Sequence, residues 1–466
     1  MGKLISPHFT TWPWAKWGEE RELEIALRDG SNVWTWSEVL IQINQYANGL
    51  LQQGVKRDDV VVGIAKSGIE LVWLQLASIR IGARFCAINP KTPSRQLHQL
   101  VTNISAKHIW FGEGQETISG TWHHLQLINA EYSVLAATWQ PSRLATLTFT
   151  SGSTGLPKAV AHSASNHLHS AAGLLSWVEF DSCDSWLLSL PLFHVSGLAI
   201  VWRWLLSGAT LVMPTEEGLL NDLCEVTHAS LVPTQLKRIL RSEDLPRLAL
   251  KRVLLGGAFI STELTNEAQE KGIECWVGYG MTEMSSTVAA KLADGKPGVG
   301  NVLPYRELRI ENGEILVRGE ALALGYFRLS GIMNITNEEG WFSSKDLGHA
   351  VGAELYIHGR VDNMFISGGE NIHPEKIEQA LLKHTAIEHA IVIDVVDSEF
   401  GQRPVAVINT QSDLTFKELQ LFLQDTLTKF ECPIRYEILP EHLLGTGIKI
   451  SRQQVREWLH SLTITA

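Results

Sequence analysis

Between Leu147 and Lys158 the chain reads LTFTSGSTGLPK, a run that could hold a polyphosphate. Thr150, Ser151, Ser153 and Thr154 offer hydroxyl donors, while Gly152 and Gly155 let backbone N–H groups approach an anion closely. Lys158 adds positive charge. The β-rich ATLTFT run leads into the loop, and the residues from His162 onward are compatible with a helix, the arrangement in which phosphate loops recur. It is not a Walker A loop, because Pro157 stands where the glycine before the lysine belongs. A flexible Ser/Gly turn is the plain alternative, and it leaves the lysine and the preceding strand unexplained.

Other groups could complete such a site. GYGMTE (278–283) brings Tyr279, whose ring offers a face to a base, then Gly280, the Thr282 hydroxyl and the Glu283 carboxylate. Nucleotide-bound magnesium takes one or two protein carboxylates and keeps its waters, so Glu283 suffices as an oxygen ligand. Asp346, in a polar loop after Trp341 and Phe342, can accept hydrogen bonds from two neighbouring hydroxyls, and Arg360 can assist at a ribose or phosphate. A surface ion pair would serve both residues equally well and contribute little. In VWRWLLSG (201–208), Arg203 lies between two tryptophans in an apolar helix, where a guanidinium is seldom buried without an anion. A structural Asp or Glu, or a carboxylate on a substrate, would meet that need.

These residues need a large scaffold, and 466 residues of which 45% are hydrophobic provide one. Short apolar strands (59–65, 85–89, 186–190, 228–232, 251–257) alternate with helical patterns such as 68–83, which implies largely parallel sheets covered by helices. From about 306 the texture changes to short turn-rich strands. Near 363 a compact α+β unit begins, with strands in IEHAIVIDVV, RPVAVIN and IRYEIL and a helix in FKELQLFLQDTLTKF. The net charge of −11 argues against nucleic acid as a partner. Five scattered cysteines without a C-x-x-C spacing suggest neither a disulfide framework nor a zinc site, and point to a reducing cytoplasm. No run approaches the ~20 apolar residues that span a bilayer. Sixteen tryptophans is a high count, and the sequence alone gives most of them no role.

TSGSTGLPK resembles the signature loop of the adenylate-forming superfamily, which holds acyl-CoA synthetases, peptide-synthetase adenylation domains and luciferases. LPLFHVSG, LLGGA, GYGMTE, SKDLG, GRVDNMFISGGENI and GIKISRQ follow in that superfamily's order, so the resemblance spans nearly the whole chain. It implies an α/β fold: a large N-terminal domain (1–361) of helix-covered mixed sheets plus a β-rich subdomain, and a small mobile C-terminal α+β domain (362–466) hinged at Asp362. It implies ATP, Mg²⁺ and coenzyme A, with a small carboxylic acid as substrate and an acyl-adenylate as intermediate. Gly256, Gly257 and Ala258 would line the adenine, Asp346 would hold the ribose hydroxyls, and Lys449 would bridge the α-phosphate and the attacking carboxylate. His194 is open between a core histidine and a role shaping the acyl site. WLLSLPLFHVSG, WRWLLSGA, THASLVPTQL and FGQRPVAV narrow the likeness to the o-succinylbenzoate–CoA ligases of menaquinone biosynthesis. Their substrate bears two carboxylates, one activated and one in need of an anchor, for which Ser196 and Arg203 are the candidates. A general aryl- or fatty-acyl-CoA synthetase, a free-standing carrier-loading enzyme and a nucleotide-binding regulator are the competing expectations. A homo-oligomer is open.

Overall fold

The computed structural model describes residues 3–115, 120–131, 137–150, 157–242, 248–410, 413–444 and 450–464. Among these, four sheets form. In the first, Leu144–Thr150, Arg84–Ile88, Val60–Ile64, His108–Phe111 and His123–His124 run parallel, and Lys158–Ser163 folds back antiparallel on Leu144–Thr150. Val60–Ile64 is buried at every position, as a strand covered by helices on both faces must be. The second sheet has a parallel centre, Glu274–Met281, Arg252–Leu255, His228–Leu231, Ser185–Leu187, Thr210–Val212 and Ile25–Asp29, with antiparallel strands at both edges. The expected alternation of strand and helix is therefore borne out, as mixed sheets with parallel interiors.

Tryptophans fill the helical layer against these sheets. Trp36 stacks on Trp204 at 5.0 Å and lies 6.4 Å from Trp17, joining helices Pro13–Glu20, Trp36–Gln52 and Val195–Ser207. Much of the high tryptophan count is thus core packing.

The turn-rich region makes a four-stranded antiparallel sheet ending in the hairpin Phe342–Val351 and Glu354–Arg360. A single turn of 3₁₀ helix, Val361–Asn363, leads from it to a fourth sheet built on the long antiparallel pair Ile387–Asp397 and Gly401–Thr410. Helix Pro374–Leu382 packs on that pair around Ile377 and Leu381.

Three expectations are corrected. His162 lies in a strand, not a helix: Lys158–Ser163 pairs in register with Leu144–Thr150, and the helix begins at Ala164. There Ser163 and Asn166 form a reciprocal cap. Asp346 is a strand residue opposite Arg360, not a loop residue. The helix expected across FKELQLFLQDTLTKF is shorter, Phe416–Leu423, and starts at a Thr415–Glu418 capping box.

Candidate active site

The C-terminal ends of three adjacent parallel strands, His228–Leu231, Arg252–Leu255 and Glu274–Met281, lie side by side, the place where open α/β sheets take ligands. Gly256, Gly257 and Ala258 follow the middle strand. Gly257 needs its left-handed φ of 81°, and a Cβ on Gly256 would lie 3.5 Å from the Gly278 carbonyl. This brings the 256–258 segment beside Tyr279. A Cβ on Gly280 would meet the Ser286 carbonyl at 2.1 Å, so only glycine allows the chain to double back here.

Tyr279 donates its hydroxyl to Asp346 Oδ2 at 2.5 Å, while Arg360 Nη1 donates to Asp346 Oδ1 at 2.8 Å. The carboxylate is only 8% exposed, and the protein supplies a partner to each of its oxygens. Burial and then the Asp346 charge hold the Tyr279 phenol well above its ordinary pKa, so it remains a donor. Arg360 also reaches Asp362 Oδ2 at 3.4 Å, which connects the pair to the turn between the two parts of the chain.

Thr282–Met284 is one 3₁₀ turn, and Glu283 is fixed from two sides. Its carbonyl accepts from Ala323 N at 2.7 Å, and its Oε1 accepts from the Tyr326 hydroxyl at 2.8 Å. Burial first, then Glu283, pushes the Tyr326 phenol pKa up. Lys158 Nζ sits 4.9 Å above the Tyr326 ring, so lysine, tyrosine and glutamate form one line. Glu283 Oε2 has no hydrogen-bond partner among the described residues, and one free hard oxygen fits a nucleotide-borne Mg²⁺. Thr150 and Lys158 are register partners at the mouth of the hairpin. Ser151, Gly152, Ser153, Thr154, Gly155 and Lys449 lie outside the described residues.

Helix Val195–Ser207 forms the other end, with His194 at its N-cap and edge-on to Phe193 at 4.8 Å. Ser196 and Arg203 are two turns apart on one face. Arg203 is 2% exposed and lies 5.0 Å over the Trp186 ring. Its Nη1 donates to Ser230 Oγ at 3.2 Å, while Nε is buried without a partner and no carboxylate pairs with it among the described residues. Burial and the charge of Arg306 pull its pKa down to about 9, which still leaves it cationic at neutral pH. Ser230 sits on the strand next to Gly256, so this cation and the Tyr279–Asp346 pair share one edge of the sheet.

Sequence reasoning missed Tyr326, Ser230, Trp186 and Arg306. Tyr326 and Ser230 belong to short strands whose partners are distant in sequence, so no local spacing marks them.

Residues 14–327 match the AMP-binding enzyme family, and residues 376–446 match the AMP-binding enzyme C-terminal domain. The chain is 43% identical over 452 residues to 2-succinylbenzoate–CoA ligase of Escherichia coli (strain K12), covering 97% of this chain and 99% of that one. A solved variant of Escherichia coli MenE with bound OSB-AMS superposes with a TM-score of 0.91 at 42% identity, over 97% of this chain and 99% of that chain. The Bacillus subtilis o-succinylbenzoate CoA synthetase, solved with the acyl-adenylate intermediate OSB-AMP, gives a TM-score of 0.86 at 26% identity, over 96% and 98% of the two chains. The same Bacillus subtilis enzyme is also solved with ATP and a magnesium ion, again with a TM-score of 0.86 at 26% identity over 96% of this chain and 99% of that one. The chain belongs to the AMP-binding enzymes and, within them, to the 2-succinylbenzoate–CoA ligase family.

Proposed function

We infer that this protein is an ATP-dependent ligase that joins 2-succinylbenzoate to coenzyme A, releasing AMP and pyrophosphate, in menaquinone biosynthesis. In the first half-reaction the succinyl carboxylate oxygen attacks the α-phosphorus of ATP, and the bond to pyrophosphate breaks. In the second the thiol of coenzyme A loses its proton and attacks the acyl carbon, and AMP leaves. Magnesium, when bound, offsets the polyphosphate charge, and Glu283 is the carboxylate that would hold it.

The observation that carries the choice of acid is Arg203, a buried cation whose described protein partners are a neutral hydroxyl and an indole face. An aromatic carboxylate would complete it as a charge-assisted pair, with Ser196 and Ser230 close along the same end. Asp346 is assigned the ribose hydroxyls, 256–258 and Tyr279 the adenine, and Thr150–Gly155 with Lys158 the phosphates. Lys449 is assigned the α-phosphate, and the His194 ring walls the acyl site. The domain division is placed at 361/362, with rotation about Asp362 between half-reactions: a single pose hardly presents Lys449 to the phosphate and also opens a path for a thiol. No helix of the described residues is long and apolar enough to cross a membrane, and a cytoplasmic location is the assignment that accompanies diffusible substrates.

Pyrophosphate release from a panel of acids, with and without coenzyme A, tests the reading. 2-Succinylbenzoate should exceed a monocarboxylate of equal size by at least a hundredfold in kcat/KM, the order expected when a buried charge pair forms or does not. Equal rates on the two would refute it.

A further inference from the structure

His162 is fully buried in the strand that leaves the phosphate loop, four residues beyond Lys158. Its Nε2 lies 2.8 Å from the Thr282 carbonyl oxygen. A carbonyl only accepts, so Nε2 carries the proton, and Nδ1 is left as a lone pair, buried and without a partner among the described residues. An unpaired acceptor is costly in the interior, so packing alone would favour an apolar side chain here. Burial pulls the ring pKa down to about 4, against the opposing effect of the Thr282 bond, so the imidazole is a neutral donor at working pH. His167 lies 4.9 Å from it; that ring is in turn hydrogen-bonded to Thr146 Oγ1 at 2.7 Å and stacked on Trp202 at 5.1 Å. The imidazole is therefore held between the strand and the helical layer.

The group it grips is the turn that displays Glu283. The Thr282 carbonyl also accepts from Ser285 N at 3.0 Å, closing the turn. Ser285 and Ser286 then take φ values of 53° and 114°, two successive non-glycine residues in the left-handed region, a strained path that its surroundings must enforce. Ser170 Oγ donates to the Ser285 carbonyl, and Ser285 Oγ donates to the Ala321 carbonyl. His162 adds a direct hydrogen bond from this turn to the strand Lys158–Ser163, beside the indirect route through Tyr326, whose strand pairs with it.

We propose that His162 is a positioning residue for magnesium–ATP: its hydrogen bond to the Thr282 carbonyl helps set the Glu283 carboxylate at a fixed place relative to the strand Lys158–Ser163 and its Lys158. It touches no substrate and acts through Glu283, so the proposal rests on the assignment of Glu283 to magnesium. The consequence is specific. Losing the bond should weaken the contribution of the metal to ATP binding and spare the contribution of the nucleotide itself.

Three variants test this. His162→Met keeps the volume and removes the donor, His162→Gln keeps a donor at similar reach, and Glu283→Gln reports on the metal ligand directly. ATP binding is measured by calorimetry in EDTA and in excess Mg²⁺, alongside the Mg²⁺ concentration for half-maximal pyrophosphate release and the melting temperature. The Met variant is expected to bind metal-free ATP within about twofold of the parent, to lose about tenfold of the gain from Mg²⁺, and to need about tenfold more Mg²⁺, the scale of one well-made hydrogen bond. The Gln variant should recover most of that. If His162→Met keeps the full gain while Glu283→Gln loses it, the proposal fails and the Glu283 assignment stands. If Glu283→Gln keeps the gain, both fall. Should the Met variant not fold, His162→Gln decides alone: loss of the gain despite a retained donor would overturn the proposal, and retention would support it.

Discussion

Two arginines of the large domain, Arg203 and Arg306, are 2% and 7% exposed, and neither has a carboxylate partner among the described residues. The fold treats them in opposite ways. Arg306 donates to the Pro304 carbonyl at 2.8 Å and to both the carbonyl and the hydroxyl of Ser170 at 3.1 and 2.9 Å. Its charge is spread over backbone dipoles, and it ties the chain at 304–306 to helix Ala164–Leu175. Arg203 receives one hydroxyl and an aromatic face. Both pKa values are pulled down to about 9, so burial alone does not separate the two roles; the partners do. The Nε of each is buried without a partner, but Arg306 makes three hydrogen bonds to Arg203's one; the first is tied into the fold, and the second is the one we propose to receive an anion.

The sharpest way to break this comparison is to remove each charge. Arg203→Leu should lose about 2–5 kcal/mol of transition-state stabilisation with 2-succinylbenzoate, the effect of unpairing a desolvated charge. Its melting temperature should hold or rise, because an apolar side chain replaces an uncompensated ion. Arg306→Leu should do the reverse. It takes a donor away from two carbonyls and the Ser170 hydroxyl, destabilises the fold by about 3 kcal/mol, and leaves KM for the acid unchanged in whatever fraction folds. Denaturant titration with steady-state kinetics on both variants reads this directly. Loss of stability in the first, or selective loss of acid affinity in the second, would reverse the assignment.

The proposed ribose end sharpens the contrast, because Asp346 is a charge to which the protein supplies a partner on each oxygen. Tyr279→Phe removes the hydroxyl that donates to its Oδ2. Since each carboxylate oxygen has a second lone pair, Tyr279 and a ribose hydroxyl can share Asp346, and the tyrosine then orients the group. ATP affinity should fall by about 1.5 kcal/mol, roughly the lower end for a hydrogen bond to an ion, and the KM for the acid should not move. An unchanged ATP affinity would show that the carboxylate is held in place without Tyr279.

The sequence discloses the loop chemistry because hydroxyls, glycines and lysine occur within one continuous run, and local spacing is what a sequence displays. It discloses Arg203 because a lone cation in an apolar helix is conspicuous against its neighbours. It does not disclose why Arg203 and Arg306 differ, since Ser230 and Ser170 come from elements far away in the chain. The misplaced helix at His162 has a local cause. KAVAH has no strong alternation, and the cap that starts the helix uses Asn166 where the familiar signature has Glu or Gln, so the boundary is set by the antiparallel register and not by a local signal. The loop expected at Asp346 proves a strand for a related reason: SSKDLG is polar, and its strand character comes from pairing with Glu314–Arg318 and Glu354–Arg360.

The smallest expected effect concerns the contact between the two parts of the chain. Lys237, on helix Pro233–Leu240, donates to the carbonyls of Thr385 and Ile387 at 3.1 and 3.3 Å, where the long strand pair of the C-terminal sheet begins. Arg238 and Arg241 lie 3.9 Å from Glu388, but their side chains are 67% and 44% exposed, so those pairs contribute little. Lys237 makes two hydrogen bonds across this contact, and burial, the largest influence on it, lowers its pKa. If the C-terminal part rotates between half-reactions, a contact of this size biases the pose without locking it. Lys237→Met should change the relative free energy of the poses by about 0.5–1 kcal/mol, a two- to fivefold shift in the ratio of pyrophosphate release to thioester formation from supplied acyl-adenylate. Glu388→Lys, which adds repulsion at the same place, should move the ratio in the same direction and less far. The two half-reactions measured separately decide the matter. Opposite shifts, or equal loss in both half-reactions, would mean that the contact belongs to packing and has no part in choosing the pose.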